Sequence, residues 1–367
     1  MKFLRIHIYE EKILLVGAYL ILYGLPIGAY ALLPYYRTLL DIQLPYGLSP
    51  LGILIFILLY FTLVLLIVKI PPGALYRSRA YVTLVAFTKI FKSLASGTLK
   101  PDLTSVEHTS LLLFFVKFFF TPIMLKFLLQ NSLHVFSFWP SLLSGEVFTA
   151  SFLLGILYPF LLNLLLLVDT GYFFVGYIVE SDALGNRVRS VDATALGWLS
   201  ALLCYPPFND ITQLILGWHS SDFSDFGNVT LNLLTGGMAL ILMGFYVSAS
   251  YALGWKASNL TNRGVVSSGV YAVVRHPAYV SKNLTWWIMG MPAVLSSLTY
   301  LVPQKIGVIW IIPFDNLLLG LAPILSLMAW SGIYYIRALT EERHLSTDLE
   351  YQAYMKRVKY RFLPGIY

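Results

Sequence analysis

Two polar clusters interrupt a chain that is otherwise mostly apolar. The first lies in GVYAVVRHPAYVSKNL, residues 269–284, and gathers Gly269, Tyr271, Arg275, His276, Pro277 and Tyr279. Pro277 suits the first turn of a helix, where a missing N–H costs nothing, and it biases His276 away from helical geometry. Gly264 and Gly269 suit tight turns just before it. A helix beginning there aims free N–H groups outward beside a guanidinium and an imidazole, a combination that takes an anion or another hydrogen-bond acceptor. The second cluster is RALTEERHL, residues 337–345, with Arg337, Glu341 and Glu342. Arg337 and Glu341 are four residues apart and share one face of a helix. Each cluster also has a plainer reading. One is a basic loop that fixes topology, with His276 capping a helix; the other is an interfacial ion pair worth roughly 0.3–0.5 kcal/mol.

The elements that must position these residues are membrane helices. The 367 residues are 58% hydrophobic and 12% charged, with a mean hydropathy of +0.73, too apolar for a soluble globular protein. Apolar runs of about 20 residues, the length that crosses ~30 Å of hydrocarbon as a helix, recur throughout and exclude a barrel of short strands. The expectation is an all-α polytopic membrane protein with eight spans, near 13–36, 49–69, 109–129, 148–168, 195–217, 232–254, 279–300 and 315–337. An even count puts both termini on one side. Of the 25 Lys and Arg, only Arg37, Lys117, Lys126 and Lys305 fall away from that side once Lys69, Lys282 and Arg337, inside spans 2, 7 and 8 near their ends on it, are counted with its loops and tails, which makes it cytoplasmic. The net charge of +7 then faces anionic headgroups rather than a nucleic acid. The two clusters, one before span 7 and one after span 8, lie on that same face and can meet if the hairpin between them is antiparallel.

Other positions carry less. Residues 74–100 mix apolar positions with Arg77, Arg79, Lys89 and Lys92, as an interfacial amphipathic helix does, or as a solvated connector with topology signals. Lys117 sits mid-span, where a charge is expensive, and either faces a polar cavity or substrate headgroup or finds a protein or water partner. Pro206 and Pro207 must break span 5, leaving a kink or a binding site near Asn209 and Asp210. The lone Cys204 forms no intramolecular disulfide and supports no cysteine metal site. The first apolar run is longer than a signal-peptide core, so it reads as a retained helix.

GVYAVVRHPAYV followed by RALTEERHL and a terminal KRVKYRFLPG resembles the isoprenylcysteine carboxyl methyltransferase family and its relatives, including the phospholipid methyltransferases. The resemblance covers about residues 250–367. It implies S-adenosylmethionine bound at the cytoplasmic membrane surface. Gly269, Tyr271, Arg275, His276, Pro277 and Tyr279 would frame the cofactor, Glu341 and Glu342 would approach its amino-acid or ribose portions, and Arg337 would stand near the substrate as a catalytic residue with Glu341. The tail would close over the cofactor. STDLEY departs from relatives that have a glycine before the acidic residue and tyrosine. Residues 231–367 would then be the catalytic core, and 1–230, with Lys117, would bind a lipophilic small molecule or lipid. No metal is implied. VKYRFLPGIY also resembles the C-termini of membrane sterol reductases, which use a nicotinamide cofactor, although Arg275-His276-Pro277 and Glu341-Glu342 favour the methyltransferase. The remaining alternatives are such an NADPH-dependent oxidoreductase and a non-catalytic membrane binder or carrier.

Overall fold

The computed structural model describes residues 2–98, 100–144, 149–306 and 309–366; for residues 2–8, Ile306 and Ile309 only the backbone is described. The chain forms two compact units, Met1–Leu129 and Gln130–Tyr367. The expected division at 230 separates an expected acceptor-binding part from an expected catalytic core, and the boundary between the compact units does not bear on it.

The first unit holds α1 (Lys2–Leu32), α2 (Pro34–Leu39), α3 (Pro50–Ile67), α4 (Ala74–Arg77), α5 (Arg79–Ala95) and the start of α6 (Ser105–Leu143). Pro50 opens α3 at a position that needs no N–H, and the Ser49 hydroxyl accepts from the Gly52 N–H at 3.0 Å. The α3 end is met by Lys12 of α1, whose ammonium donates to the Leu66 and Val68 carbonyls at 2.5 and 3.1 Å. Phe56, Leu59, Leu63 and Ile67 remain exposed on α3, as an apolar face toward lipid requires. The amphipathic stretch at 74–100 is α4 and α5, which buries Ala80, Thr83 and Ala86 while leaving Phe91 and Leu94 outside. Lys117 is buried on α6 with its ammonium 5.9 Å from the Tyr23 ring.

The second unit continues with α7 (Ala150–Phe152), α8 (Tyr158–Ile178), α9 (Ala195–Leu202), α10 (Phe208–Leu216), α11 (Val229–Leu253), α12 (Pro277–Ser297), α13 (Phe314–Leu345) and α14 (Leu349–Arg357). Helix α11 packs on α8 and on α12, and α12 packs in turn on α13. Their core includes Tyr158, Leu162, Ala239, Met243 and Met289. Lipid tails are as apolar as leucine, so association rests on close fit, and Gly236 supplies it: a Cβ there would lie 3.3 Å from the Tyr158 ring. A short antiparallel pair, β1 (Ser190–Val191) with β2 (Thr261–Asn262), and a hairpin of β3 (Gln304–Ile306) and β4 (Ile309–Ile311) complete the unit.

Among the described residues, six helical segments are long and apolar enough to cross a membrane: Tyr9–Leu32, Pro50–Ile67, Ser105–Leu143, Ala150–Ile178, Val229–Lys256 and Phe314–Leu345. The protein is a helical multi-pass membrane protein. The expected span at 195–217 is not one helix but the pair α9 and α10, because Pro206 and Pro207 cannot donate to a continuing ladder. The expected seventh span is the 21-residue α12, whose apolar character is diluted by Ser281, Lys282, Asn283 and Thr285. Helix α6 runs 39 residues, well past the expected end at 129, since the polar Gln130, Asn131 and Ser132 interrupt hydropathy without breaking a helix.

Candidate functional site

The loop before α12 is built as its residue types require. Gly264 and Gly269 have φ of +92° and +60°, the left-handed region that a side chain resists. His276 caps α12 with φ −126° and ψ 59°, and Pro277 takes the first helical position. The two residues before the helix pair with the C-terminal tail: the Arg275 N–H donates to the Tyr360 carbonyl and the His276 N–H to that of Arg361, both at 3.0 Å. The Arg275 guanidinium adds bonds to the Val358 and Lys359 carbonyls at 3.0 and 2.9 Å. Beneath the tail, Tyr351, Tyr354 and Val358 pack with Val265 and Tyr271. Burial pushes the Tyr354 phenol up to about 12. It stays protonated and donates to the Tyr271 carbonyl at 2.8 Å.

Glu342 holds this junction closed. Its Oε1 accepts from Arg275 Nε at 2.7 Å and lies 3.1 Å from His276 Nε2, while its Oε2 accepts from Arg361 Nη2 at 2.8 Å and Nε at 3.1 Å. The carboxylate is buried and both oxygens are occupied. It fastens α13, the α12 loop and the tail to one another.

Glu341, the preceding residue, does something else. Its Oε2 accepts from the Tyr279 hydroxyl at 2.7 Å, and 43% of its side chain stays exposed. It borders a cavity of about 640 Å³, open mouth included, that lies wholly within the second unit. Tyr271, Arg275, His276, Tyr279 and Arg337 line the same cavity. Arg337 does not pair with Glu341. Its guanidinium donates to the Asn259 carbonyl oxygen and lies 5.3 Å from the Tyr279 ring centre and 5.7 Å from those of Tyr205 and Tyr334. The plain ion pair expected from the four-residue spacing is therefore absent, and each residue faces the cavity on a partner from another element. Asn259 is placed by Gly176, where a Cβ would come within 2.4 Å of the Ala257 carbonyl oxygen and push the 254–259 turn away.

Six of the expected site residues thus gather on one cavity. Gly269, Pro277 and Glu342 shape its wall without facing it. Lys117 belongs to the other unit. A smaller chamber of about 410 Å³, lined by Asp192, Thr340 and His344 among others, shares Asn259, Tyr279, Arg337 and Glu341 with the first.

Two residues of this region escaped the motif reading. Lys282 lines the cavity with its ammonium 5.6, 5.4 and 5.7 Å from the ring centres of Tyr246, Trp286 and Tyr334. Asp169, buried in α8, accepts from the Tyr246 hydroxyl at 2.9 Å and from the Ser250 hydroxyl. The signal for both was present in the sequence as an ionisable side chain inside an apolar helix.

No protein-family model, no curated protein and no solved structure matches this chain significantly.

Proposed function

We propose that the protein is an integral-membrane methyltransferase that uses S-adenosylmethionine to methylate a lipophilic small molecule or lipid, of the kind the isoprenylcysteine carboxyl methyltransferases represent. The observation that carries this reading is the convergence of Tyr279 on α12 with Arg337 and Glu341 on the next helix, α13, on one cavity. The cofactor fits these residues: a half-exposed carboxylate, Glu341, suits its cationic end, and the rings of Tyr271 and Tyr279 offer faces to a cation or an adenine. Counting the α9–α10 pair and α12 with the six long helices gives eight crossings. The distribution of Lys and Arg supports cytoplasmic termini and a cytoplasmic face for the cavity.

When bound, the cofactor supplies the methyl group. Tyr271, Tyr279 and Glu341 would hold it, and it would supply an electrophilic methyl carbon with a neutral thioether as the leaving group. Little is asked of the protein beyond alignment and exclusion of water. Glu341 and Tyr279 would hold the cofactor's orientation, Arg337 would stand beside the acceptor, and the strapped tail would cover the pocket. The catalytic assignment rests on Arg337 and Glu341.

A second reading has an observation of its own. Arg337 and Lys282 place two cations against the single Glu341 carboxylate among the charged cavity residues outside the Glu342 cluster, which favours an anionic cofactor such as NADPH. Titration calorimetry of the purified protein with S-adenosylhomocysteine and with NADPH separates the two. The methyltransferase reading requires the first to bind. It also requires Glu341→Gln, which keeps shape and removes charge, to lower kcat/KM by roughly 10²-fold, as for lost electrostatic groups. NADPH binding without S-adenosylhomocysteine binding, or normal turnover in a folded Glu341→Gln protein, overturns it.

A further inference from the structure

Resting on that reading for the role of the ligand, we infer that Asp169, acting through Tyr246, takes the proton from the hydroxyl of an aromatic acceptor bound in the cavity. Asp169 is buried in α8, one turn before Phe173, which lines the cavity. Each of its oxygens accepts from a hydroxyl of α11, Oδ2 from Tyr246 at 2.9 Å and Oδ1 from Ser250. Tyr246 and Ser250 are four residues apart, share one face of α11 and both line the cavity. The carboxylate thus stands one hydroxyl behind the cavity wall. A charge inside apolar helices is expensive, and carboxylates kept there commonly serve proton relays.

The transfer balances within the protein. The ligand O–H bond breaks and its electron pair stays on the ligand oxygen. That proton goes to Tyr246 Oη as the proton of Tyr246 goes to Asp169 Oδ2, leaving a neutral tyrosine, a protonated aspartate and a ligand oxyanion, whose lone pair is then free to attack an electrophilic carbon. The arrangement selects among acceptors. A carboxylate has no such proton to give, and a protonated amine would meet two cations, Lys282 and Arg337, on the cavity wall. An aliphatic alcohol holds its proton far more tightly than a phenol, whose pKa of about 10 is that of tyrosine itself, so a phenol's proton passes through Tyr246 with little mismatch. The cations suit the oxyanion that forms: Lys282 Nζ lies 5.6 Å from the Tyr246 ring centre, and the Arg337 guanidinium 5.3 Å from that of Tyr279. Phe173, Tyr205, Tyr271 and Tyr334 add ring faces against which a flat aromatic packs. The other ionisable groups near this path have partners of their own: Glu341 accepts from Tyr279, Arg337 donates to Asn259, and the Cys204 thiol donates to the Ser200 carbonyl.

The test uses the full-length protein in detergent, without cofactor, and 4-nitrophenol, whose oxyanion absorbs at longer wavelength than its neutral form. 4-Nitroanisole, the same ring without the proton, reports binding alone, and protein-free micelles supply the blank. Bound 4-nitrophenol should show the oxyanion band at a pH where the free probe stays protonated. A proton kept within the protein makes the ionised fraction independent of pH, whereas one released to solvent makes it rise about tenfold per pH unit. Asp169→Asn, which keeps the shape, and Tyr246→Phe, which keeps the ring, should each lower the ionised fraction about tenfold, the equivalent of one pKa unit, with 4-nitroanisole binding unchanged. Charge alone predicts the opposite sign for Asp169→Asn, because removing an anion favours an oxyanion. No binding of the probes, no oxyanion band in the wild type, or a band that grows in proportion to pH overturns the inference even if a variant fails to fold. So does a band that survives both substitutions, or one that only Lys282→Met removes. S-adenosylhomocysteine is titrated in parallel. A relay in a protein that does not bind it keeps the proton acceptor and rejects the methyltransferase; binding without the relay does the reverse.

Discussion

Replacing Glu342 with glutamine should unfasten the C-terminal tail. Its carboxylate is met by Arg275 at 2.7 Å, by His276 at 3.1 Å and by Arg361 at 2.8 and 3.1 Å, with only 7% of the residue exposed. A glutamine of the same shape keeps one acceptor oxygen but presents N–H donors to Arg361 or Arg275 and leaves two guanidinium charges without a counter-charge. Removing one partner of a buried pair costs about 3–5 kcal/mol. Arg361 lies at the edge of the cluster, 11% exposed, and can regain water, so the lower figure of about 3 kcal/mol applies. That shifts the equilibrium between docked and released tail by roughly 10²-fold. Limited trypsinolysis reads this directly, because Lys356, Arg357, Lys359 and Arg361 all lie in the tail. Cleavage there should accelerate by about 10²-fold when opening is fast relative to cutting, while the membrane helices keep their circular dichroism. Glu342→Asp, charged but shorter, should fall between the two. A tail that stays as resistant as in the wild type would refute the assignment of Glu342 to the junction and return it to direct cofactor contact.

The other predictions concern the rim of the site and its orientation. Asp348 caps α14, accepting from the Glu350 N–H at 3.0 Å, from Asn262 at 3.1 Å and from Arg189 at 2.8 Å. Burial raises its carboxyl pKa, but the bonds from Asn262, Arg189 and Glu350 outweigh burial and hold it below the usual range. The contribution is therefore complete above the unfolded value of about 3.9 and disappears as pH falls through the lower folded value. Asp348→Ala should lower stability at neutral pH by about 1 kcal/mol. Thermal melts between about pH 5 and pH 2 should show the wild type losing more stability than the variant; parallel pH profiles count against the cap. Cysteines placed at Ser267 and Ser346 should react with reagents supplied from the cytoplasm, and labelling of either from the opposite side alone would reverse the topology.

Local signals were legible and distant ones were not. Pro277 at a helix start and His276 in non-helical geometry follow from covalent constraints on neighbouring residues. The break at Pro206 and Pro207 follows from a missing donor. The meeting of Tyr279 with Glu341 was legible one level up, from two clusters on one membrane face. By contrast, the bond from Arg361 to Glu342 joins a tail whose path is set by contacts with residues 275 and 276, and no spacing rule supplies that path. Lys282 and Asp169 announced themselves as charges in apolar helices. Which neighbours they would face depended on the rotation of α8, α11 and α12, and apolar residues surround those helices too evenly to define it.

The adjacent glutamates show how much one residue of helical rotation decides. Successive side chains on a helix point about 100° apart, so Glu341 and Glu342 cannot serve the same ligand from the same face. Glu342 turns toward the α12 loop and the tail, where two arginines absorb its charge. Glu341 turns toward Tyr279 and the cavity, where the Tyr279 phenol and His276 Nδ1, 3.9 Å away, leave 43% of its side chain exposed. A motif of two consecutive carboxylates therefore encodes one strap and one cavity-facing group. Loss of the strap should act on the cavity only through the tail, whereas loss of the other should act on the ligand with the tail in place.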